Sequence, residues 1–176
     1  MDRETVYLIG TGNWMKVLGD PVPNYNRDGH EWTFDFTPDA DAVAELRRLK
    51  VDHKLKNKGD ERENFLTLKQ RAIGADGKPY RPITVVDGHN RLWDPEVKIG
   101  NGSTVEVKLD VVDYGKAKAA IARYGLYPIA IRVLDHKPYV RQEFAPLPED
   151  SKYYDNFNEA VEDFGDGVVE GDPLEG

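Results

Sequence analysis

The sequence predicts an all-β fold, a small closed barrel or sandwich with one helix inserted early and a chemically distinct C-terminal tail. Three observations carry this. Five or more segments alternate apolar and polar residues or run as short apolar stretches. Turn signals separate them at short intervals. The repeated helix–strand alternation that a parallel sheet requires is missing. With 176 residues, 39% of them hydrophobic, the chain suits one domain with appendages, placed at residues 1–145, followed by a tail at 146–176.

The elements follow in order. Thr5 to Gly10 starts a strand, and Asn13 to Leu18 continues it as the same hairpin before Gly19-Asp20-Pro21 and Pro23-Asn24 break it. His30 to Thr37 alternates with period two, placing Trp32, Phe34 and Phe36 on one face and Glu31, Thr33 and Asp35 on the other. Pro38-Asp39 opens a helix, in which Ala42, Val43, Leu46 and Leu49 recur at helical spacing through about residue 51. Lys54 to Asp60 is a basic loop closed by Gly59, and Asn64 to Arg71 is a strand. Asp76-Gly77-Lys78-Pro79 is a turn, Ile83 to Val86 a short buried strand, and Asp87-Gly88-His89-Asn90 a second turn. Trp93-Asp94-Pro95 ends an extended piece, and Gly100-Asn101-Gly102 is a tight turn. Ser103 to Tyr114 sets Val105, Val107, Leu109 and Val111 against Glu106, Lys108 and Asp110. Leu126 to Val140 carries Ile129, Ile131 and Val133 on one face. Gly115 to Tyr124 between them is a helical turn or a hairpin loop.

Charge is segregated along the chain. The formal net charge is -8, but residues 143–176 hold 11 acids against the single base Lys152, so the rest of the chain is mildly basic. The positive charge gathers in residues 47–82, with 11 bases and 5 acids. The mean hydropathy of -0.65 and the lack of a long apolar run exclude a membrane-spanning helix. Met1-Asp2-Arg3-Glu4 has neither the basic start nor the apolar stretch of a signal peptide. Cysteine is absent, which removes disulfides, thiolate nucleophiles and Cys-type zinc sites. A cytoplasmic location follows as the simplest reading.

The basic segment supplies the candidate site. Charge runs are most often solvated helix faces and loops. Here, however, cations interleave with Phe65, Tyr80 and Trp93, and on a strand Phe65, Thr67, Lys69 and Arg71 point to one side. Cations that track a backbone, beside rings that stack on bases, are what an unpaired nucleic-acid strand requires. The groove is expected to be lined by Lys54, Lys56, Lys58, Lys69, Arg71 and Arg81, with Phe65, Tyr80, Trp93 and Tyr114 as stacking rings. Phe34 and Phe36 belong to the core, Trp14 beside a turn is a partly exposed stacker, and Trp32 stays open between the two roles, its parity grouping it with the core pair.

The tail has a plain reading as a solubilising extension. Alternatively, a tethered polyanion occupies a phosphate-binding groove at an effective concentration on the order of millimolar and is displaced by nucleic acid. Phe157, Glu162, Asp163, Phe164 and Asp166 are then the contacts it offers to partner proteins. Enzyme signatures are poor. His30, His53, His89 and His136 are scattered, Gly10-Thr11-Gly12 lacks the rest of a dinucleotide fingerprint, and no Walker-type sequence occurs. No metal site or cofactor is expected. Two rivals remain: a β-barrel adaptor whose basic patch binds an acidic protein, and a metal-dependent nuclease using Asp87, Asp94 and Glu96.

The order of parts over residues 29–142 resembles a known family. Trp32-Thr33-Phe34-Asp35-Phe36 precedes a helix, and the Phe65-to-Arg71 strand carries alternating Lys69 and Arg71. Pro82-Ile83-Thr84-Val85-Val86-Asp87 leads to Gly100-Asn101-Gly102-Ser103 and a strand ending at Tyr114, Tyr127 to Val140 closes the barrel, and an acidic tail follows. This resembles the single-stranded DNA-binding proteins of double-stranded DNA phages, of the podophage replication type. The resemblance implies a five-stranded OB fold with an inserted helix, sequence-independent binding of single-stranded DNA, and roles in phage replication, recombination and repair within the host cytoplasm. It also implies recruitment of the phage DNA polymerase and helicase–primase by the tail, with a homodimer as an option. By position, Lys69 and Arg71 look like the backbone-contacting pair and Tyr114 like a groove aromatic. The family's tail often ends in an aromatic residue, whereas this one ends Pro173-Leu174-Glu175-Gly176, with Phe164 lying 12 residues before the last.

Overall fold

The computed structural model describes residues 2–117, 122–140 and 147–153. The chain divides into two units, Met1–Lys137 and Pro138–Gly176. The tail contacts expected at Phe157, Glu162, Asp163, Phe164 and Asp166 lie outside the described residues.

The first unit is mostly β. Its strands are β1 (Asp2–Lys16), β2 (Val22–Pro23), β3 (His30–Pro38), β4 (Lys56–Asn57), β5 (Asn64–Arg71), β6 (Thr84–Val86), β7 (Ser103–Asp113) and β8 (Tyr124–Asp135), with one helix, α1 (Ala40–Arg48), between β3 and β5. Neighbours along the sheet run β4-β5-β3-β1-β7-β8-β6, and β2 adds to β3. All ladders are antiparallel except β6 on β8.

The expected barrel is present, but its hydrogen-bonded sheet does not close. The long strands curl in the order β5-β3-β1-β7-β8, bringing parts of β5 and β8 within 8 Å, Cα to Cα. No ladder joins those two strands among the described residues. The interior holds the alternating apolar residues: Val6 and Leu8 of β1, Trp32, Phe34 and Phe36 of β3, Leu66 and Leu68 of β5, Val105, Val107, Leu109 and Val111 of β7, and Ile131 and Val133 of β8. Period-two patterning puts one face of each strand into this core. Trp32 joins the core pair, and its indole N–H donates to the Gly19 carbonyl at 3.0 Å.

Three features depart from the sequence expectation. First, residues 2–16 form one strand rather than a hairpin. The irregularity near its end is a register shift against β3 between Asn13 and Lys16, where Trp14 takes a left-handed φ of 49°. That shift is pinned by side chains: Trp14 N–H donates to Asn101 Oδ1 and Gly102 N–H to Asn13 Oδ1. Second, β8 shifts register against β7, pairing Lys108 with Ala130 but Leu109 with Pro128. Pro128 is buried in the place alternation assigns to Ile129, which turns outward. Proline has no N–H to give a ladder, and bulges relieve that loss. Third, α1 stops at Arg48, before residue 51, and a 3-10 turn at Asp52–Lys54 follows.

The helix starts as its sequence requires. Asp39 accepts from the Ala42 N–H at 2.8 Å as N-cap, and Ala42 and Leu46 face the barrel. Arg48 ties the other end down through ion pairs to Glu4 of β1 and Glu45. Gly10 permits a close approach of β1 to β3. A Cβ there would overlap the Thr37 carbonyl of β3.

In the second unit the described residues include a turn in which Ser151 N–H donates to the Pro148 carbonyl at 2.9 Å. No helix among the described residues is long and apolar enough to cross a membrane.

Candidate nucleic-acid interface

The outer face of β5 carries Thr67, Lys69 and Arg71, opposite Asp35, Thr33 and Glu31 of β3 respectively. Lys69 and Arg71 are exposed. Neither forms an ion pair among the described residues, and the same holds for Lys54, Lys58, Lys78 and Arg81. Three arginines of the basic segment are spent internally. Arg47 pairs with Asp52, Arg48 with Glu4 and Glu45, and Arg62 with Asp35 and Asp60. The charge excess of residues 47–82 is therefore concentrated on eight side chains: Lys50, Lys54, Lys56 and Lys58 before β5, Lys69 and Arg71 on it, and Lys78 and Arg81 after it.

Phe65 does not serve as an open ring. It shares the outward parity of Lys69 but is 1% exposed. The Arg62 guanidinium lies over it at 4.1 Å, and Lys56 Nζ stands 5.4 Å from its centroid. A flat apolar ring on the solvent side of a sheet gains by being covered, and neighbouring cations supply a cover that also favours its π face.

Three partly exposed rings, Tyr80, Tyr114 and Tyr127, come together near the open seam between β5 and β8. Tyr80 follows β5 closely, its N–H donating to the Ala72 carbonyl at 2.9 Å, while the Gln70 side chain donates to the Arg81 carbonyl at 3.3 Å. The Tyr80 ring lies on Gly74, where a Cβ would come within 2.5 Å of its Cζ. Across the seam Tyr127 of β8 shares a hydroxyl–hydroxyl hydrogen bond of 2.5 Å with Tyr114. Partial burial pushes the Tyr127 phenol up to about 12, helped by the Tyr114 hydrogen bond and the nearby Tyr80, against a small opposing pull from Arg3. Tyr80, Tyr114, Tyr127 and Arg3 are thus one electrostatic neighbourhood, reached along the chain from Arg71. The hairpin end beside it is fixed by Arg123 on Asp113, at 3.0 and 3.1 Å.

Of the expected stacking rings, Tyr80 and Tyr114 come together here and Phe65 does not. Trp93 is committed elsewhere. Its indole N–H donates to the Val97 carbonyl at 2.8 Å, and its ring meets His136 edge-on with centroids 5.1 Å apart. Tyr127 and Arg62 carry no signal of their place here in the sequence. Tyr127 has the parity of Ile131, which assigns it to the core, and only the bulge at Pro128 and Ile129 turns it out. Arg62 sits in the mixed-charge Glu61-Arg62-Glu63 stretch, where nothing local marks it.

A shallow groove of about 470 Å³ lies on the outer face of β1, β7 and β8 beside β6, with Tyr7, Lys108, Arg132 and Leu92 on its walls. Arg132 pairs there with Glu106 at 3.5 Å.

The acids proposed for a nuclease do not assemble. Asp87 closes its own turn, accepting from the backbone N–H of His89 and Arg91 at 2.8 and 3.0 Å and from Arg91 Nε at 3.0 Å. The Arg91 N–H above all holds this carboxyl below its usual range. Asp94 accepts from the Glu96 N–H at 3.0 Å in a separate turn. Among the described residues no three His, Asp or Glu side chains gather as metal ligands would.

No protein-family model matches the sequence, and no curated protein matches it. Solved structures do match the fold. Gp2.5, a single-stranded DNA-binding protein encoded by bacteriophage T7, superposes with a TM-score of 0.52 at 16% identity, over 85% of this chain and 98% of that one. The single-stranded DNA-binding protein of bacteriophage Enc34 gives 0.51 at 8% identity, over 81% and 87%. The same Enc34 protein in complex with ssDNA gives 0.52 at 6% identity, over 78% and 88%.

Proposed function

We propose that this chain, which has the OB-type fold of phage single-stranded DNA-binding proteins, binds single-stranded DNA without catalysis. The observation that carries the reading is the seam between β5 and β8. Lys69, Arg71 and Arg81, free of ion pairs among the described residues, adjoin three partly exposed tyrosines, Tyr80, Tyr114 and Tyr127. Cations without acidic partners neutralise phosphates, and tyrosine rings accept any base because every base has a π face. The T7 and Enc34 proteins of the same fold are single-stranded DNA-binding proteins, one of them solved with ssDNA.

The expected site is accordingly narrower and displaced. Lys54, Lys56 and Lys58 serve as flanking charge, Lys69, Arg71 and Arg81 track the backbone, and Tyr80, Tyr114 and Tyr127 stack. Phe65 and Trp93 are no longer direct stackers. Residues 146–176 act as the acidic tail, competing for the groove and recruiting the phage DNA polymerase and helicase–primase in replication, recombination and repair. In this reading the DNA-binding domain is residues 1–145 and the setting is the host cytoplasm.

The test is an anisotropy titration of the full chain with labelled oligo-dT and with duplex of equal length, repeated across salt. The expected result is preference for the single strand and affinity that falls with salt at about -0.7 in log–log slope per neutralised phosphate. Binding that ignores salt, or binding to an acidic protein but to no oligonucleotide, overturns the reading in favour of an adaptor.

A further inference from the structure

Arg62 is held in an unusual way for a cation in a basic segment. Its NH1 donates to Asp35 Oδ2 at 2.9 Å, and its Nε and NH2 donate to Asp60 at 3.0 and 2.5 Å. Asp35 is itself fixed by Thr67, whose hydroxyl donates to Oδ1 at 2.9 Å, and the Arg62 carbonyl accepts from the Thr37 hydroxyl at 2.6 Å. One face of the guanidinium covers Phe65. Both carboxylates lie along its edge. The side chain is nevertheless 19% exposed. With three of the five N–H donors engaged and one face on Phe65, the opposite face is the flat surface left for a ligand.

We infer that Arg62, clamped by Asp35 and Asp60 and backed by Phe65, is a stacking plate for one unpaired nucleobase on the outer face of β3 and β5. This rests on the single-strand reading above and deepens it. A phosphate is the wrong occupant, because three of the five guanidinium N–H donors already serve carboxylates and the flanking acids repel it. A base needs only the flat face, and guanidinium planes stack on bases as aromatic rings do. The position suits a continuous strand. Phe65, Thr67, Lys69 and Arg71 lie on one side of β5, so the backbone-tracking cations begin roughly 13 Å along the strand from the plate. The buried Phe65 thereby has a function: it stiffens and polarises the plate that it cannot be itself.

The experiment compares the full chain with its Arg62→Lys variant on two strands of equal length: oligo-dT, and the same sugar–phosphate backbone without bases, at low salt. Lysine keeps the charge and loses the plane. The expected result is a loss of oligo-dT affinity of roughly five- to a hundredfold, with abasic-strand affinity and the salt slope unchanged. Equal loss on both strands, or no loss on either, overturns the plate. If the unaltered protein binds neither strand, the single-strand reading falls and the plate with it. If the variant does not fold, the Nε–H resonance of Arg62 in the unaltered protein carries the same test. A ring-current shift with oligo-dT and none with the abasic strand supports the plate, and any other pattern removes it.

Discussion

The hydroxyl oxygens of Tyr114 and Tyr127 lie 2.5 Å apart, joining the end of β7 to the outer face of β8. One phenol must donate and the other accept, so ionising either one changes the pair. Burial raises the Tyr127 phenol to about 12, above the value near 10 of an unfolded tyrosine. Below about pH 10 the phenol is neutral in both states, and its contribution to stability is complete there. As pH rises toward about 12 the unfolded chain ionises first, and that contribution is lost. Alkaline titration of tyrosinate absorbance is therefore expected to show a late step that belongs to Tyr127. Tyr127→Phe should abolish that late step, and persistence of the step in the variant would reassign it.

Lys69 and Arg71 stand two residues apart on the same exposed side of β5. Replacing either with alanine is expected to weaken oligo-dT binding and to reduce the magnitude of the log–log salt slope by about 0.7 for each phosphate no longer neutralised. The melting temperature should stay unchanged, because neither forms an ion pair among the described residues. A variant that loses affinity while keeping its salt slope would show that the residue does not meet a phosphate.

Gly10→Ala tests the packing of β1 on β3. The added methyl overlaps the Thr37 carbonyl, which is backbone and cannot swing away. The strands must separate locally, at a cost of about 1–3 kcal/mol, read as a lower urea midpoint. An unchanged midpoint would mean that β1 and β3 cross with room to spare at this point.

Acid should destabilise the fold for a traceable reason. Glu4, Asp60, Asp87 and Asp113 are all held below their usual carboxylate range, Glu4, Asp60 and Asp113 chiefly by arginine side chains and Asp87 chiefly by a backbone N–H. Depressed values mean that their stabilising contribution is intact above about pH 4 and disappears as pH falls through the folded-state values. Thermal melts between neutral and acid pH should show this loss. Asp113→Asn should shrink it, since Asp113 accepts from Arg123 and from the Gly115 N–H.

Removing residues 147–176 deletes most of the acidic excess. If the tail competes for the groove, the truncated chain binds oligo-dT more tightly than the full chain, most visibly at low salt where the polyanion is least screened. Equal affinities would leave the tail as a docking element alone.

The sequence by itself determined what depends on neighbours along the chain. Period-two burial marked β3, β5 and β7 almost to the residue, Asp39 and the helical spacing of Ala42 and Leu46 placed α1, and Asp87 and Gly102 marked turns, because side-chain parity, caps and turns are local physics. Only the tertiary structure decided which cations remain free, since that depends on partners such as Glu4 for Arg48 and Asp35 for Arg62, distant in sequence and adjacent in space. It also decided which rings reach solvent. A register shift of one residue at Pro128 reverses Ile129 and Tyr127, and an arginine three residues upstream closes over Phe65. Parity could assign Phe65 to the outer face and Tyr127 to the core. Exposure followed from what covers a face and where a ladder slips, and neither is written in the period of the sequence.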